Sequence, residues 1–180
     1  MSTLLEQDGL VATWRRIHPN FDAGSLGCCE LDGRGETVPL PQPSARRQIV
    51  LTDAYCQIAE QIGHVAAMSV PVATPAFGIR VPDVVWMPPE KWEGYDREGP
   101  DPMPFVPDLC VEVLLDREFP EDIGPRVMAY LEGGAQEVIV VDQRGELQFH
   151  GANGPQQSSG YGITLLLERM YFEEFAPPSH

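Results

Sequence analysis

The chain has 180 residues and carries 12 Lys and Arg side chains against 27 Asp and Glu, a formal net charge of −15. This balance is unlike that of proteins that bind nucleic acid through a broad basic surface. A hydrophobic content of 43% with 22% charged residues is typical of a globular protein rather than a disordered one. The apolar stretches are short and interrupted, so no membrane span and no secretion signal are predicted, and a cytoplasmic location is expected.

The length fits one domain with a sizeable core. We expect a single domain over 1–180, with an N-terminal helical segment at 1–27 and a core at 28–175. Cysteines stand at 28, 29, 56 and 110, without a CxxC pair or zinc-finger spacing to histidine. Neither a disulfide scaffold nor structural zinc is therefore predicted.

In the first half of the chain, apolar residues at helical spacing predict helices at 3–17 and 44–62. Ser44 suits the start of the second helix and Gly63 its end. Segments rich in β-branched and aromatic residues then predict strands at 77–81 and 83–87. A proline-rich segment at 88–107 is predicted to be a long loop.

In the second half, a strand is predicted at 109–115, a helix at 121–132 and strands at 137–141 and 146–150. The run Val-Ile-Val-Val at 138–141 is apolar on both faces, which is typical of a central strand covered on both sides. A tight turn at 143–146 predicts a hairpin, and 151–162 is predicted to be a second loop. The predicted class is α/β, with a mixed sheet flanked by helices.

Two carboxylates stand within apolar strands. Asp83 opens the run Val-Val-Trp, and Glu112 lies in the middle of 109–115, on the same face as Cys110 by strand alternation. A buried ionised carboxylate costs several kcal/mol unless it is paired, hydrogen-bonded or bound to a metal. Three interpretations stay open: core carboxylates paired with arginines or hydrogen-bonded to the backbone, a shared divalent cation, and an acid/base pair without metal.

Four segments resemble the Uma-two (Uma2) family of endonucleases, which has the PD-(D/E)XK nuclease fold. They are Glu-Leu-Asp-Gly at 30–33, Pro-Ser at 43–44, Arg-Val-Pro-Asp-Val at 80–84 and Pro-Asp-Leu-Cys-Val-Glu-Val-Leu at 107–114. The helix-then-strand pattern over 122–142 follows in the order that the family shows. The similarity spans about Cys29 to Phe175.

The resemblance implies a restriction-endonuclease-like fold and hydrolysis of DNA phosphodiester bonds by water activated on Mg²⁺, or on Mn²⁺. Carried over to this sequence, Asp83 and Glu112 become the metal-binding and catalytic carboxylates. The backbone carbonyl of Val113 becomes a further ligand, and Glu30 stands at the edge of the site.

The sequence departs from the family in two respects. Leu114 stands where the fold usually has its lysine, and the lysine that the family carries on the following helix is here Arg126, one turn before Tyr130. Arginine keeps the charge but does not deprotonate, so it cannot act as a general base. Arg46 and Arg47 stand where the family often has a histidine, and the single lysine, Lys91, lies outside the motifs.

The acidity of the chain bears on its partners. DNA binding would be weak and steeply salt-dependent, through a patch formed by some of the arginines at 46, 47, 80, 117 and 126. The alternative is a catalytically degenerate nuclease-fold protein that acts as a binding or assembly module, and a third possibility is a purely structural domain. A homodimer is common for nucleases that cut both strands, and no membrane partner is expected.

Overall fold

A six-stranded mixed sheet forms the centre of the fold. The computed structural model describes residues 4–17, 29–63, 66–95, 101–117 and 123–172. The helices in these ranges are α1 (Gln7–Ile17), α2 (Ala45–Ile62), α3 (Pro89–Gly94), α4 (Ile123–Glu132) and a 3-10 turn at Arg169–Tyr171. The strands are β1 (Cys29–Asp32), β2 (Thr37–Pro39), β3 (Ala66–Met68), β4 (Val72–Ala73), β5 (Gly78–Arg80), β6 (Val84–Trp86), β7 (Leu109–Val113), β8 (Glu137–Val141), β9 (Leu147–Gly151) and β10 (Gly154–Gln156).

The main sheet has the order β10-β9-β8-β7-β6-β3. Its central strands β7 and β8 run parallel, while the other neighbouring strands are antiparallel. Helix α2 covers one face through Val50, Ala54 and Ile58. Helix α4 covers the other face through Val127 and Tyr130. Alternate residues of β7 and β8 therefore enter two different cores, which explains why both strands are buried throughout.

A smaller antiparallel sheet, in the order β2-β1-β5-β4, lies beside the main one. Leu10 and Trp14 of α1 pack on Leu31 of β1 and Ile79 of β5. This sheet positions Glu30, since the residue pairs with Val38 in the register of β1 and β2.

Helix α2 begins and ends as its sequence predicts. The Ser44 hydroxyl accepts a hydrogen bond from the Arg47 backbone N–H at 3.2 Å, which caps the first turn. Gly63 adopts φ 72° at the other end, a left-handed conformation that glycine tolerates without strain. The cap fixes the first turn of α2, where Arg46 and Arg47 lie.

The α/β class and the flanking helices are confirmed, and the predicted hairpin forms between β8 and β9. The second sheet was not predicted, because its four strands have only two to four residues each and carry little periodicity. Two predictions of loops are wrong in part, since α3 lies within 88–107 and β10 within 151–162. The predicted boundaries at 27/28 and 175 lie outside the described residues. No helix in the described part of the chain is long and apolar enough to cross a membrane.

Candidate functional site

The two carboxylates predicted from the strands meet in the interior. Asp83 directly precedes β6, and its backbone N–H donates to the Val111 carbonyl at 3.1 Å, which sets it beside β7. Glu112 lies within β7 and is fully buried. Arg117 Nη1 lies 2.9 Å from Glu112 Oε2 and 3.4 Å from both side-chain oxygens of Asp83. One nitrogen thus contacts both carboxylates.

The guanidinium group of Arg47, at the start of α2, also binds Asp83. Arg47 Nη2, from the first turn of α2, lies 2.8 Å from Asp83 Oδ1 and 2.7 Å from Oδ2. The same nitrogen donates to the Val113 carbonyl at 3.0 Å, and Arg47 Nε donates to that carbonyl at 3.2 Å. The Val113 N–H donates to Asp83 Oδ2 at 2.7 Å. Arg47 therefore binds two of the three groups that the sequence predicts as metal ligands.

The remaining oxygen of Glu112 faces α4. Arg126 Nη1 donates to Glu112 Oε1 at 3.1 Å, and the Tyr130 hydroxyl donates to the same oxygen at 2.5 Å. Arg126 and Tyr130 are four residues apart, so one helix face presents both, and Arg126 Nη1 also lies 3.1 Å from the Tyr130 hydroxyl. The spacing of the sequence also puts Asp122, four residues before Arg126, on this helix face, and Asp122 lies outside the described residues.

Glu30 of the small sheet joins the same cluster. Arg126 donates to both Glu30 oxygens, with Nη1 and Nη2 each at 2.8 Å, in a bidentate pair. The Val81 N–H donates to Glu30 Oε1 at 2.8 Å, and Arg80 Nη1 lies 3.2 Å from Oε2. Glu30 was predicted at the edge of the site, and in the structure it is fully buried.

These side chains form one buried cluster, which we call the arginine–carboxylate network. Each member has a relative accessibility of 7% or less. The members are Glu30, Asp83, Glu112, Arg47, Arg80, Arg117 and Arg126. Each of its three carboxylates binds at least two arginines, so the ionised groups are hydrogen-bonded as burial requires.

The pKa directions follow from burial and from these neighbours. Burial, and secondarily the charge of Glu112, raise the pKa of Asp83 to about 6, against the opposing effect of Arg117 and Arg47. Burial also acts to raise the pKa of Glu112, but Arg126 and Arg117 outweigh it and the pKa is lowered. Burial raises the pKa of Tyr130, and Glu112 raises it further, so the hydroxyl stays protonated and donates. The neighbouring arginines therefore favour the charged form of Glu112, whereas at Asp83 the effect of burial outweighs theirs.

The oxygen atoms of Asp83, Glu112 and Val113 can be compared with the ligands that Mg²⁺ requires. Carboxylate and carbonyl oxygens are the ligands that Mg²⁺ prefers, at about 2.0–2.1 Å. Here each carboxylate oxygen of Asp83 and Glu112, and the Val113 carbonyl, accepts from an arginine, and the nitrogens stand 2.7–3.4 Å away. Among the described residues, no three His, Cys, Asp or Glu side chains group in a way that could hold a metal ion. The residues in this arrangement do not fit Mg²⁺ or Mn²⁺, because guanidinium groups occupy the space between the ligands.

Sequence reasoning missed the roles of Arg47, Arg80 and Arg117 as partners of the carboxylates. The available signal was the use of arginine for eleven of the twelve basic residues, since arginine is the side chain suited to buried bidentate pairs. Lys91 lies on α3, and its Nζ is 2.6 Å from Asp108 Oδ1. The only lysine of the chain is thus engaged away from Asp83 and Glu112.

The mixed sheet brings an Asp before one strand next to a Glu within the adjacent strand, and a helix with a cationic residue follows, which is the α/β arrangement that the family resemblance implies. A similar fold occurs in the crystal structure of a "putative nuclease belonging to DUF820" from Anabaena variabilis ATCC 29413. The TM-score is 0.55 at 16% sequence identity, over 69% of this chain and 70% of that one. The model of the Uma2 family, described as "putative restriction endonuclease", matches residues 29–164, and the chain belongs to this family. A search of curated proteins finds no match.

Proposed function

We propose that this chain is a nuclease-fold protein that acts as a binding or assembly module, and that it does not hydrolyse phosphodiester bonds with a metal ion. The observation that carries the proposal is the position of Arg47, whose Nη2 contacts both oxygens of Asp83 and the carbonyl of Val113 at 2.7–3.0 Å. A guanidinium group cannot activate water as a bound metal does, because it cannot coordinate a water molecule as a Lewis acid. It also does not deprotonate, so it cannot act as a general base.

The placement of the arginines also argues against a DNA-binding surface. Five arginines were suggested by the sequence as phosphate contacts, and four of them belong to the arginine–carboxylate network, where they are buried and paired. The fifth, Arg46, pairs with Asp116. At a net charge of −15, the chain needs exposed cations to attract phosphates, and these arginines do not supply them.

The surface is better suited to a protein partner. Three large apolar side chains are exposed on α2 and on the C-terminal part of the described chain: Ile49 at 47%, Leu166 at 77% and Met170 at 66%. Ile49 and Leu166 line the same surface cavity. Grouped exposed apolar side chains favour contact with protein, and charge repulsion does not oppose such contact as it opposes contact with DNA. A cytoplasmic location, a homodimer and the single domain over 1–180 stay predictions from the sequence.

The second candidate is a Mg²⁺-dependent endonuclease that cuts DNA, with Mn²⁺ as an alternative metal. It is supported by family membership and by the contact of Asp83 and Glu112 with one nitrogen of Arg117. A bound metal would supply activated water and stabilise the charge on the scissile phosphate. This candidate requires Arg47 and Arg117 to leave the carboxylates.

A nicking assay on supercoiled plasmid DNA separates the two candidates. The wild-type chain and Glu112→Gln, which keeps the shape of the side chain and removes its charge, are incubated with Mg²⁺ or Mn²⁺. We expect no nicking above background by either protein. Nicking by the wild type that is lost in Glu112→Gln would overturn the proposal and establish the endonuclease.

A further inference from the structure

We propose that a groove on the outer side of α2 binds a cationic amphipathic helix of a partner protein. The groove lies between α2 and the segment 166–171 and contains a cavity of about 650 Å³. We call it the α2 groove. The proposal rests on the proposed function of the chain as a binding module, and it adds the surface that receives the partner and the chemistry of that partner.

The α2 groove offers apolar side chains from both of its walls. Ile49 of α2 and Leu166 of the facing segment line it and are 47% and 77% exposed. Cys56, about two turns further along α2, and Tyr171 extend the lining. A partner that covers these side chains removes apolar surface from water, which favours binding.

Two glutamines of α2 fix the facing segment in place. Gln57 Nε2 donates to the Leu166 carbonyl at 2.9 Å, and the Leu166 N–H donates to Gln57 Oε1 at 2.8 Å. Gln61 makes the same two hydrogen bonds with Thr164, at 2.7 and 2.8 Å. Leu165, between the two bonded residues, is buried in the core. The groove is therefore formed before a partner arrives, so binding does not have to order its walls.

The hydrogen bonds of the facing segment also favour a helical partner over an extended one. An extended peptide binds to a strand edge through free backbone groups, and Gln57 already uses the N–H and the carbonyl of Leu166. A helix satisfies its own backbone and binds through its side chains. The lining residues Ile49, Asp53 and Cys56 recur at helical spacing, so they form a ridge along α2 against which a second helix can pack.

The charge of the α2 groove selects a cationic partner. Its charged lining residues are Asp53 of α2 and Glu168 of the facing segment, and no Lys or Arg lines it among the residues that the structure describes. Arg46, at the start of α2, pairs with Asp116, and Arg169 follows Glu168 in the chain without lining the cavity. The two carboxylates attract Lys and Arg side chains that flank an apolar helix face. They disfavour a second copy of the chain, which has a net charge of −15 and the same two carboxylates.

The probe is a synthetic peptide of leucine and lysine in which the leucines recur at helical spacing. Its dissociation constant for the full chain is measured by fluorescence anisotropy at about 0.15 M salt, and circular dichroism measures the helix formed on binding. A scrambled peptide of the same composition keeps the charge and loses the apolar face. A peptide with glutamate in place of lysine keeps the apolar face and reverses the charge.

The apolar contact is tested with Leu166→Asn. Met128→Asn is the matched control, because Met128 is 51% exposed on α4 and does not line the groove. Both substitutions are at exposed positions, and the melting temperature of each variant shows that it is folded.

The charge is tested with the double variant Asp53→Lys/Glu168→Lys. Its matched control is Glu132→Lys/Glu146→Lys, which changes the net charge by the same amount at exposed positions that do not line the groove. The comparison separates attraction to the groove from attraction to an acidic chain as a whole.

We expect the leucine–lysine peptide to bind the wild-type chain with a gain of helix. Its dissociation constant should rise at least about tenfold in Leu166→Asn and in Asp53→Lys/Glu168→Lys, and less than about twofold in the two controls. The leucine–glutamate peptide should bind only Asp53→Lys/Glu168→Lys.

No binding by the wild type, equal binding of the scrambled peptide, or equal effects of the groove and control variants would overturn the proposal. A wild-type dimer in analytical ultracentrifugation that Leu166→Asn dissociates would also overturn it, because the groove would then receive a second copy of the chain. The proposed function is tested separately, since nicking of plasmid DNA that is lost in Glu112→Gln refutes it whatever the peptides do. Failure of the peptide to bind a chain that does not nick DNA overturns only the assignment of the α2 groove.

Discussion

Arg47 holds both side-chain oxygens of Asp83 with a single nitrogen, at 2.8 and 2.7 Å, while its neighbour Arg46 turns outward to Asp116. Two consecutive arginines on the first turn of α2 thus make ion pairs in opposite environments. The side chains of the inner pair are 7% and 9% exposed, and those of the outer pair 35% and 22%. This contrast gives a matched test of what the buried pairing contributes.

Arg47→Ala is expected to lower the free energy of unfolding by about 3–5 kcal/mol, because it removes the closest partner of a buried carboxylate. Arg46→Ala is expected to lower it by about 1 kcal/mol or less, since solvent screens the outer pair. Urea denaturation of the two variants and the wild type measures both losses. Equal losses would contradict the assignment of Asp83 to a buried ion pair.

Tyr130→Phe is expected to destabilise the fold by about 1–3 kcal/mol, since Glu112 loses a buried hydrogen-bond donor. The hydroxyl lies 2.5 Å from Glu112 Oε1 in the structure. Tyr161→Phe is the control, because its ring packs edge-on against Trp86 at 5.3 Å and no partner of its hydroxyl is found among the described residues. That substitution is expected to change stability by about 0.5 kcal/mol or less. A similar effect of both substitutions in denaturant titrations would rule out the proposed role of the Tyr130 hydroxyl.

The ion pair between Arg46 and Asp116 predicts that the stability of the fold depends on pH. A hydrogen bond from Arg46 lowers the pKa of Asp116 to about 2, from an ordinary 3.8, with a further contribution from Ser44. Because the folded pKa lies below the unfolded one, the stabilisation is complete above about pH 4 and is lost as the pH falls toward 2. The stability difference between the wild type and Asp116→Asn should therefore shrink over this range. In an Arg46→Ala background the stability difference should be small at every pH. With Arg46 present, a difference that stays undiminished at pH 2 would contradict the predicted direction of the pH dependence.

Arg126→Lys tests whether the arginine at this position, where the family carries a lysine, is the sole reason that the site would lack nuclease activity. Lysine keeps the charge but cannot bind both oxygens of Glu30 as Arg126 does with two nitrogens at 2.8 Å. We expect lower stability and no plasmid nicking, because Arg47 and Arg117 still occupy the positions between the carboxylates. Nicking by Arg126→Lys in Mg²⁺, absent in the wild type, would show that the lysine alone was missing.

Much of the fold could be predicted because its long elements have clear periodicity. The capped helix α2 and the strands β7 and β8 carry patterns that specify one structure. The alternation in β7 predicted Glu112 on the same face as Cys110, and Glu112 contacts Tyr130 of the core that contains Cys110. The strands of the small sheet are too short for such a pattern. The meeting of Asp83 with Glu112 follows from the neighbouring positions of β6 and β7.

The partners of these carboxylates could not be read from the sequence. Arg47 lies 36 residues before Asp83, and Arg126 lies 96 residues after Glu30, so the contacts depend on how α2 and α4 pack on the sheets. An arginine reaches several neighbours with its long side chain, and its position in the chain does not specify which. The sequence therefore predicts that Glu112 needs a partner and offers arginine as one of three possibilities, but it does not specify which arginines pair with which carboxylate.

The most direct test of the arginine-filled site is diffraction from crystals of the wild-type chain soaked in Mn²⁺, with data collected at the manganese absorption edge. We predict guanidinium density from Arg47 and Arg117 against Asp83 and Glu112, with no anomalous peak between the two carboxylates. An anomalous peak bridging Asp83 and Glu112, with Arg117 displaced, would contradict the account.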